Sequence, residues 1–261
     1  EENILEISDI MHKNGSLLYY DGANLNAIMG HTNPAIMHFD VCHMNLHKTL
    51  ATPHGGGGPG AGPIGVVEKL AEFLPVPRIE YNKEKNIYYR NYDCPNSIGK
   101  VKSFYGNFGV LVRAYSYILM QNDSLKQVSE DAVLSANYIK ERLKGVYDIP
   151  YSENCMHEFV ICGEKQKEQG ASTLYIAKRL MDYGFHPPTV YFPLIVHEAL
   201  MIEPTESESK KRIDDFIEVM LKITEEVKTN PELVTSAPHN AVIKKVNETQ
   251  AARHPDLQYK G

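Results

Sequence analysis

Phe39-Asp40-Val41-Cys42-His43-Met44-Asn45-Leu46-His47-Lys48-Thr49, followed closely by Pro53-His54-Gly55-Gly56-Gly57-Gly58-Pro59-Gly60, is the stretch on which the reading of this chain turns. A short apolar run reads as a strand, delivers a lysine just beyond its end, and is succeeded by a glycine turn. A lysine ammonium is a poor nucleophile at neutral pH and forms a Schiff base only where burial or a nearby cation lowers its pKa. The apolar run and the glycine turn would supply that burial, so Lys48 points to an aldehyde cofactor, pyridoxal phosphate. Such a cofactor also needs a carboxylate that keeps its pyridine nitrogen protonated. Asp21 fits, because it ends the run Leu17-Leu18-Tyr19-Tyr20, a second strand, and opens the turn Asp21-Gly22-Ala23-Asn24. Two strands with reactive groups beyond their carboxyl ends match the rule for ligand sites in open α/β sheets.

Each of these residues also has a structural reading. Most lysines are solvated, and an aspartate in this setting is often a turn or helix-cap residue. Asn24 suits either a hydrogen bond to a cofactor oxygen or a turn contact. His47 can meet a cofactor phosphate or a substrate carboxylate, or be fixed by the backbone. Asn45 and Thr49 can donate to phosphate or satisfy backbone groups in their turn. The glycine run is not a nucleotide loop, since Gly60-Ala61-Gly62-Pro63 lacks the required Gly-Lys-Ser/Thr ending. A metal site built from His38, Cys42, His43 and His47 is disfavoured, because residues 42 and 43 of a strand point to opposite faces.

At 261 residues and 43% hydrophobic content the chain can bury one large or two modest cores. Its net charge of -6 gives no reason to expect nucleic acid or an anionic membrane, and no apolar stretch reaches membrane-span length. Cys42, Cys94, Cys155 and Cys162 are scattered, as befits free thiols in a reducing compartment such as the cytoplasm.

Residues 1–110 read as the remainder of an α/β domain, with a helix carrying Ile4, Ile7, Ile10 and Met11 and ending at Asn14-Gly15, and a third strand at Ile64-Gly65-Val66-Val67. Residues 111–229 read as a small α+β domain with its linking helix. The expected elements are helices from Phe104, from Leu125 to Leu143 and from Ser172 to Tyr183, a strand Glu158 to Cys162, and a strand pair near Leu194 to Ile202. A last amphipathic helix follows, for which Thr205 and Glu208 have capping-box spacing. Residues 230–261, with Pro231, Pro238 and Pro255, read as an extended arm packing on a neighbouring surface.

Taken together, Asp21-Gly-Ala-Asn-Leu-Asn-Ala27, Asn45-Leu-His-Lys-Thr49, Pro53-His-Gly-Gly-Gly-Gly-Pro-Gly60, Phe104-Tyr-Gly-Asn-Phe-Gly109, His157-Glu-Phe159, Gly184-Phe-His-Pro-Pro-Thr189 and Met201-Ile-Glu-Pro-Thr-Glu206 resemble the pyridoxal-phosphate glycine decarboxylases of the glycine cleavage system, the P-protein family. The resemblance runs over almost the whole chain and is strongest to the carboxyl-terminal part of subunit 2 of the split enzymes. It implies a pyridoxal-phosphate-dependent transferase fold of the aspartate-aminotransferase type, fold type I, with a truncated large domain preceding a small α+β domain. It further implies that Lys48 holds the cofactor, that Asp21 meets its pyridinium, and that Asn24, His47, Asn45 and Thr49 line it. Glycine would be decarboxylated and its aminomethyl group passed to the lipoyl arm of the H-protein. P-protein subunit 1 would be the partner, in a dimer of heterodimers. The sequence departs from the family at His197, where proline is usual, and at Leu50-Ala51-Thr52, close to Lys48. An aminotransferase or desulfurase pairs aspartate with lysine on the same fold, and a non-catalytic fragment supplying only an interface is a third reading. The glycine loop after His47-Lys48-Thr49 favours the decarboxylase, and none of the cysteines lies in an obviously exposed, flexible loop as a desulfurase requires.

Overall fold

The computed structural model describes residues 1–259 and divides the chain into two compact units, Glu1–Ser129 and the part from Glu130 onward. In the first, α1 (Ile4–Lys13) ends at Asn14 and Gly15, the latter with φ +74°. A three-stranded sheet follows in the order β1 (Tyr19–Gly22), β2 (Val41–Met44), β3 (Ile64–Val66). β1 and β2 run parallel with Asp21 opposite His43, and β3 is antiparallel to β2. The single turn α2 (Leu46–Thr49) leaves the carboxyl end of β2.

Asp40 ties this arrangement together. Its carboxylate is 4% exposed, accepts from the Leu18 amide at 2.9 Å, and meets His12 Nε2 at 2.8 Å and Lys69 Nζ at 2.7 Å. Its backbone accepts from Val67 and donates to Leu18, so one residue joins α1, the start of β1 and the segment after β3. Burial alone would raise this carboxyl, but Lys69, the Leu18 amide and His12 hold it down to about 2. A depressed carboxyl stabilises the fold above its ordinary pKa, and that contribution disappears as pH falls from about 4 towards 2. Asp40→Asn is therefore expected to cost about 2 kcal/mol at pH 7 and to flatten the acid limb of stability. Urea unfolding at pH 7 and in mild acid checks this, and an unchanged acid limb would refute the role given to Asp40.

β4 (Arg78–Asn82) and β5 (Ile87–Asn91) form an antiparallel hairpin, turned by a segment in which Asn86 takes φ +52° and the Asn82 side chain accepts from the Lys85 amide. α3 (Phe108–Gln121) starts four residues later than its apolar spacing suggests, after Gly106 at φ +107°. Val110 and Ala114 pack on Leu46. This packing makes α3 part of the first unit, so the division falls after Ser129 and not near residue 110.

The second unit takes in α4 (Leu125–Leu143) from Glu130 onward, β6 (Phe159–Cys162), α5 (Glu164–Glu168), α6 (Thr173–Asp182), β7 (Thr189–Val190), β8 (Ala199–Ile202) and α7 (Lys210–Thr229). The strands form an antiparallel sheet in the order β6-β8-β7. Its core joins Ile139 and Leu143 of α4, Phe159 and Ile161 of β6, Ile176 and Leu180 of α6, and Ile217, Met220 and Ile223 of α7.

Two expectations need correction. α7 is capped by Ser209, whose Oγ accepts from the Arg212 amide at 3.2 Å, while Thr205 and Glu208 form a turn before it. Nor is the segment from 230 extended throughout. Pro231–Thr235 forms α8, capped by Asn230, because Val234 packs into the core of the unit, and Ala237 just beyond it is buried too. The surface segment around α9 (Glu248–Arg253) follows. No helix among the described residues is long and apolar enough to cross a membrane.

Candidate active site

Parallel pairing brings the carboxyl ends of β1 and β2 side by side. Asp21, at the end of β1, has a side chain 72% exposed, and its Oδ1 accepts from the Ala23 amide at 3.0 Å. The same oxygen lies 3.2 Å from Nε2 of His43 on β2, while His43 Nδ1 is 2.7 Å from the Tyr19 hydroxyl. Tyr19 and Asp21 share one face of β1, so their contacts hold His43 between them and fix the carboxylate's direction. Asn24 closes the following turn, its Oδ1 accepting from the Asn26 amide at 2.8 Å.

α2 separates its residues by face. Leu46 and Thr49 are buried, and Thr49 Oγ1 accepts from the Leu25 amide at 3.0 Å, tying the loop after β1 to the turn that carries the lysine. Lys48 lies on the other face and is exposed, not buried as its apolar and glycine-rich surroundings suggest, because α2 turns Leu46 and Thr49 inward; its amine has no hydrogen-bond or ion-pair partner among the described residues. Ala51, in the stretch that departs from the family pattern, takes φ +55° and its carbonyl accepts from Arg113 of α3. α2 is thus anchored by Leu46 packing, by Thr49 and by Arg113, and none of these anchors uses the lysine.

Beside α2 lies a hollow of about 240 Å³ lined by Asn45, His47, His54, Lys102 and the glycine loop. Gly55, Gly56 and Gly57 all have positive φ, a conformation that side chains resist, and Asn107 Nδ2 donates to Gly60 O at 2.8 Å to hold the loop's far end. A Cβ at Gly62 would come within 3.1 Å of the Met44 carbonyl, so a side chain there would have to push the loop or β2 by a few tenths of an ångström. The His47 ring meets His54 edge to face with centroids 4.6 Å apart. Burial, and then the neighbouring His54 and Lys48, lower the His47 pKa, so the ring is neutral near pH 7. His47 Nδ1 is buried with no hydrogen-bond partner, a polar atom left over beside the hollow. One lysine, two imidazoles and an amide around a small polar space suit an anion such as a phosphate or carboxylate.

Asn45 and His47 line this hollow, whereas Asp21, Asn24, Lys48 and Thr49 do not. Lys102 was missed by the sequence reading, since no local pattern marks it, and His43 was weighed there only as a metal ligand. Its actual setting was legible in principle: a tyrosine and an aspartate two apart on one strand, with a histidine on the next. His38 Nδ1 lies 3.4 Å from Ser8 Oγ, well apart from the engagement of His43.

Residues 128–246 match the family model described as glycine dehydrogenase, C-terminal domain. The chain is 57% identical over 262 residues to the probable glycine dehydrogenase (decarboxylating) subunit 2 of Chloroherpeton thalassium, covering 99% of this chain and 53% of that protein. The corresponding protein of Caldanaerobacter subterraneus is 58% identical over 260 residues, again with 99% and 53% covered. The chain therefore spans about half the length of the curated relatives it matches. Among solved structures it is similar to a glycine decarboxylase (P-protein) of the glycine cleavage system, with TM-score 0.67, 15% identity, and 84% of this chain and 51% of that one covered. A cysteine desulfurase of Escherichia coli gives TM-score 0.62 at 12% identity, covering 86% and 55%. A glutamate decarboxylase of Lactobacillus brevis gives 0.62 at 11%, covering 87% and 52%. At such identities the likeness is one of fold, and that fold is the pyridoxal-phosphate-dependent fold type I. The sequence matches go further: almost the whole chain is similar to about half of glycine dehydrogenase (decarboxylating) subunit 2 proteins, and residues 128–246 to the C-terminal domain of glycine dehydrogenase.

Proposed function

We propose that this chain carries the cofactor-binding lysine of a pyridoxal-phosphate-dependent glycine decarboxylase, and that the whole enzyme transfers the aminomethyl group of glycine to a lipoylated H-protein. The observation that carries the reading is the parallel β1–β2 pair, which presents Asp21 beyond one strand and, after a single turn, an unpaired Lys48 beyond its neighbour. Pyridoxal phosphate, when bound, supplies an electron sink for the carbanion left as carbon dioxide departs.

The residues present fit that group. Lys48 offers a primary amine that no partner among the described residues competes for, and it would hold the aldehyde. Asp21 would hold a proton on the ring nitrogen through a charge-assisted hydrogen bond. His43, braced by Tyr19, keeps that carboxylate oriented. Asn45, His47 and Lys102 take an anionic group, the cofactor phosphate or the substrate carboxylate, with the unpartnered Nδ1 of His47 as one contact. Thr49 keeps the turn rigid through Leu25, and Asn24 shapes the loop beyond Asp21. The remainder of the enzyme comes from P-protein subunit 1 and the other half of subunit 2, in a dimer of heterodimers in the cytoplasm, where the free cysteines stay reduced.

The test is release of carbon dioxide from carboxyl-labelled glycine by the complete assembly, with and without lipoylated H-protein. Release should depend on both glycine and the carrier. Amino transfer to a keto acid in place of carbon dioxide release would overturn the assignment.

A further inference from the structure

The second unit holds a groove of about 520 Å³ that the decarboxylation chemistry does not use. Its walls are apolar, with Phe185, Ile202, Ile213 and Phe216 facing the space. Phe185 is placed by the end of α6, where Gly184 at φ +76° closes the helix and the Phe185 amide donates to Leu180 O. The Phe185 ring then packs edgewise on Phe216 of α7, with centroids 5.4 Å apart.

Arg212, in the first turn of α7, lies over this floor. Its guanidinium carbon is 3.7 Å from the Phe185 ring centroid, and Nη2 donates to the Gly184 carbonyl at 2.5 Å. Stacking and that one hydrogen bond fix the plane of the fork, yet no carboxylate pairs with it among the described residues. An arginine held in this way is preorganised for a carboxylate, because its remaining N–H donors already point in a fixed direction. The same groove carries negative charge. Glu208 has no ion-pair partner among the described residues, and Glu203, which lies 3.7 Å from His157 Nε2, adds a second carboxylate. Those two groups disfavour ligands with several negative charges, such as phosphates and dicarboxylates, and attract an ammonium.

We infer that this groove is a binding site for a zwitterionic amino acid with a bulky apolar side chain. Arg212 takes the carboxylate, Glu208 takes the ammonium, and the side chain lies against Phe185 and Phe216. None of the residues that line the groove is among those given to the glycine chemistry proposed above. Binding is therefore measured in Lys48→Ala protein, so that failure of either reading leaves the other standing.

The probe is L-phenylalanine, titrated while the aromatic NMR signals of Phe185 and Phe216 are followed. Three analogues each lack one feature: 3-phenylpropionate the ammonium, phenethylamine the carboxylate, and glycine the apolar side chain. L-phenylalanine should saturate in the millimolar range, with each analogue about tenfold weaker or more. Arg212→Gln should weaken L-phenylalanine about tenfold while leaving phenethylamine unchanged. Glu208→Gln should do the converse, weakening phenethylamine and sparing 3-phenylpropionate. Because the two substitutions act on opposite ends of the ligand, a general loss of structure cannot imitate the pattern. Absence of saturation by L-phenylalanine at about 10 mM would overturn the inference, as would equal binding by the three analogues.

Discussion

Lys48→Ala in the complete assembly is expected to lower glycine-dependent carbon dioxide release by about three orders of magnitude and to remove the borohydride-stable pyridoxal label from this chain. The size of the effect follows from the role: no other amine is offered by α2 or by the loop beyond β1, so covalent attachment is lost and not merely weakened. Lys48→Arg should be equally inactive, because a guanidinium stays protonated and cannot attack an aldehyde. Stability should hardly move. Lys48 is exposed and unpaired, and the anchors of α2 are Leu46, Thr49 and Arg113, so the unfolding midpoint should shift by less than about 0.5 kcal/mol equivalent. Thr49→Val gives the contrast. It removes the acceptor for the Leu25 amide and should loosen the turn while leaving the label on Lys48. Peptide mapping after borohydride reduction separates the two variants, and a label that persists in Lys48→Ala at undiminished stoichiometry would place the cofactor lysine elsewhere.

The strand ends that carry Asp21 and lead to Lys48 were legible because their signals are local. A short apolar run followed by a turn residue predicts a strand end, and two such runs became β1 and β2. The helices were legible for the same reason: apolar spacing marked α3, α4, α6 and α7, and Gly15, Gly145 and Gly184 follow helix ends with positive φ. What escaped depends on contacts between distant parts of the chain. Lys102 joins the hollow beside His47 only because the glycine loop and the segment before α3 fold onto α2. The β4–β5 hairpin escaped although Ile79, Tyr81, Ile87 and Tyr89 alternate around a polar turn, a pattern blurred by a third consecutive aromatic-aliphatic position at Tyr88. The start of α7 was misplaced because Thr205 and Ser209 offer competing caps. Ser209 wins since it puts Ile213 on the buried face one turn in, and its extended backbone, with ψ 151°, aims Oγ at the Arg212 amide. The second β strand of the small sheet lies at Thr189–Val190, earlier than expected, because Leu194 and Ile195 are exposed in a turn and Pro193 has no amide to pair.

Arg179→Leu is expected to destabilise the second unit by about 3–5 kcal/mol at pH 7, the largest effect of any single substitution considered for its fold. Arg179 is 11% exposed and faces Glu226 at 13% and Asp182 at 2%. Its Nε and Nη2 grip Glu226 in a two-pronged pair at 2.9 and 3.0 Å, and Nη1 donates to Asp182 at 3.0 Å. Asp182 in turn accepts from the His239 and Asn240 amides at 2.6 and 2.8 Å, fastening the chain beyond α8. Burial alone would raise both carboxyls, but hydrogen bonds from Arg179, Tyr183 and these backbone amides hold them below their ordinary range. Leucine roughly keeps the volume and deletes the charge, so buried Glu226 loses its main compensation and Asp182, still held by the Asn240 and His239 amides, loses part of its own. The sign of the pH response then changes. In the natural chain the depressed carboxyls lose stabilisation as pH falls below about 4. In Arg179→Leu the burial of Glu226 outweighs what remains, its folded pKa rises above the unfolded value, and protonation relieves the penalty. The stability gap between the two proteins should therefore narrow on acidification from pH 7 towards pH 4, and adding Glu226→Gln to Arg179→Leu should recover part of the loss at pH 7. Urea unfolding across that range checks both statements. A gap that stays constant with pH would mean that lost packing around the arginine stem, and not stranded charge, sets the cost.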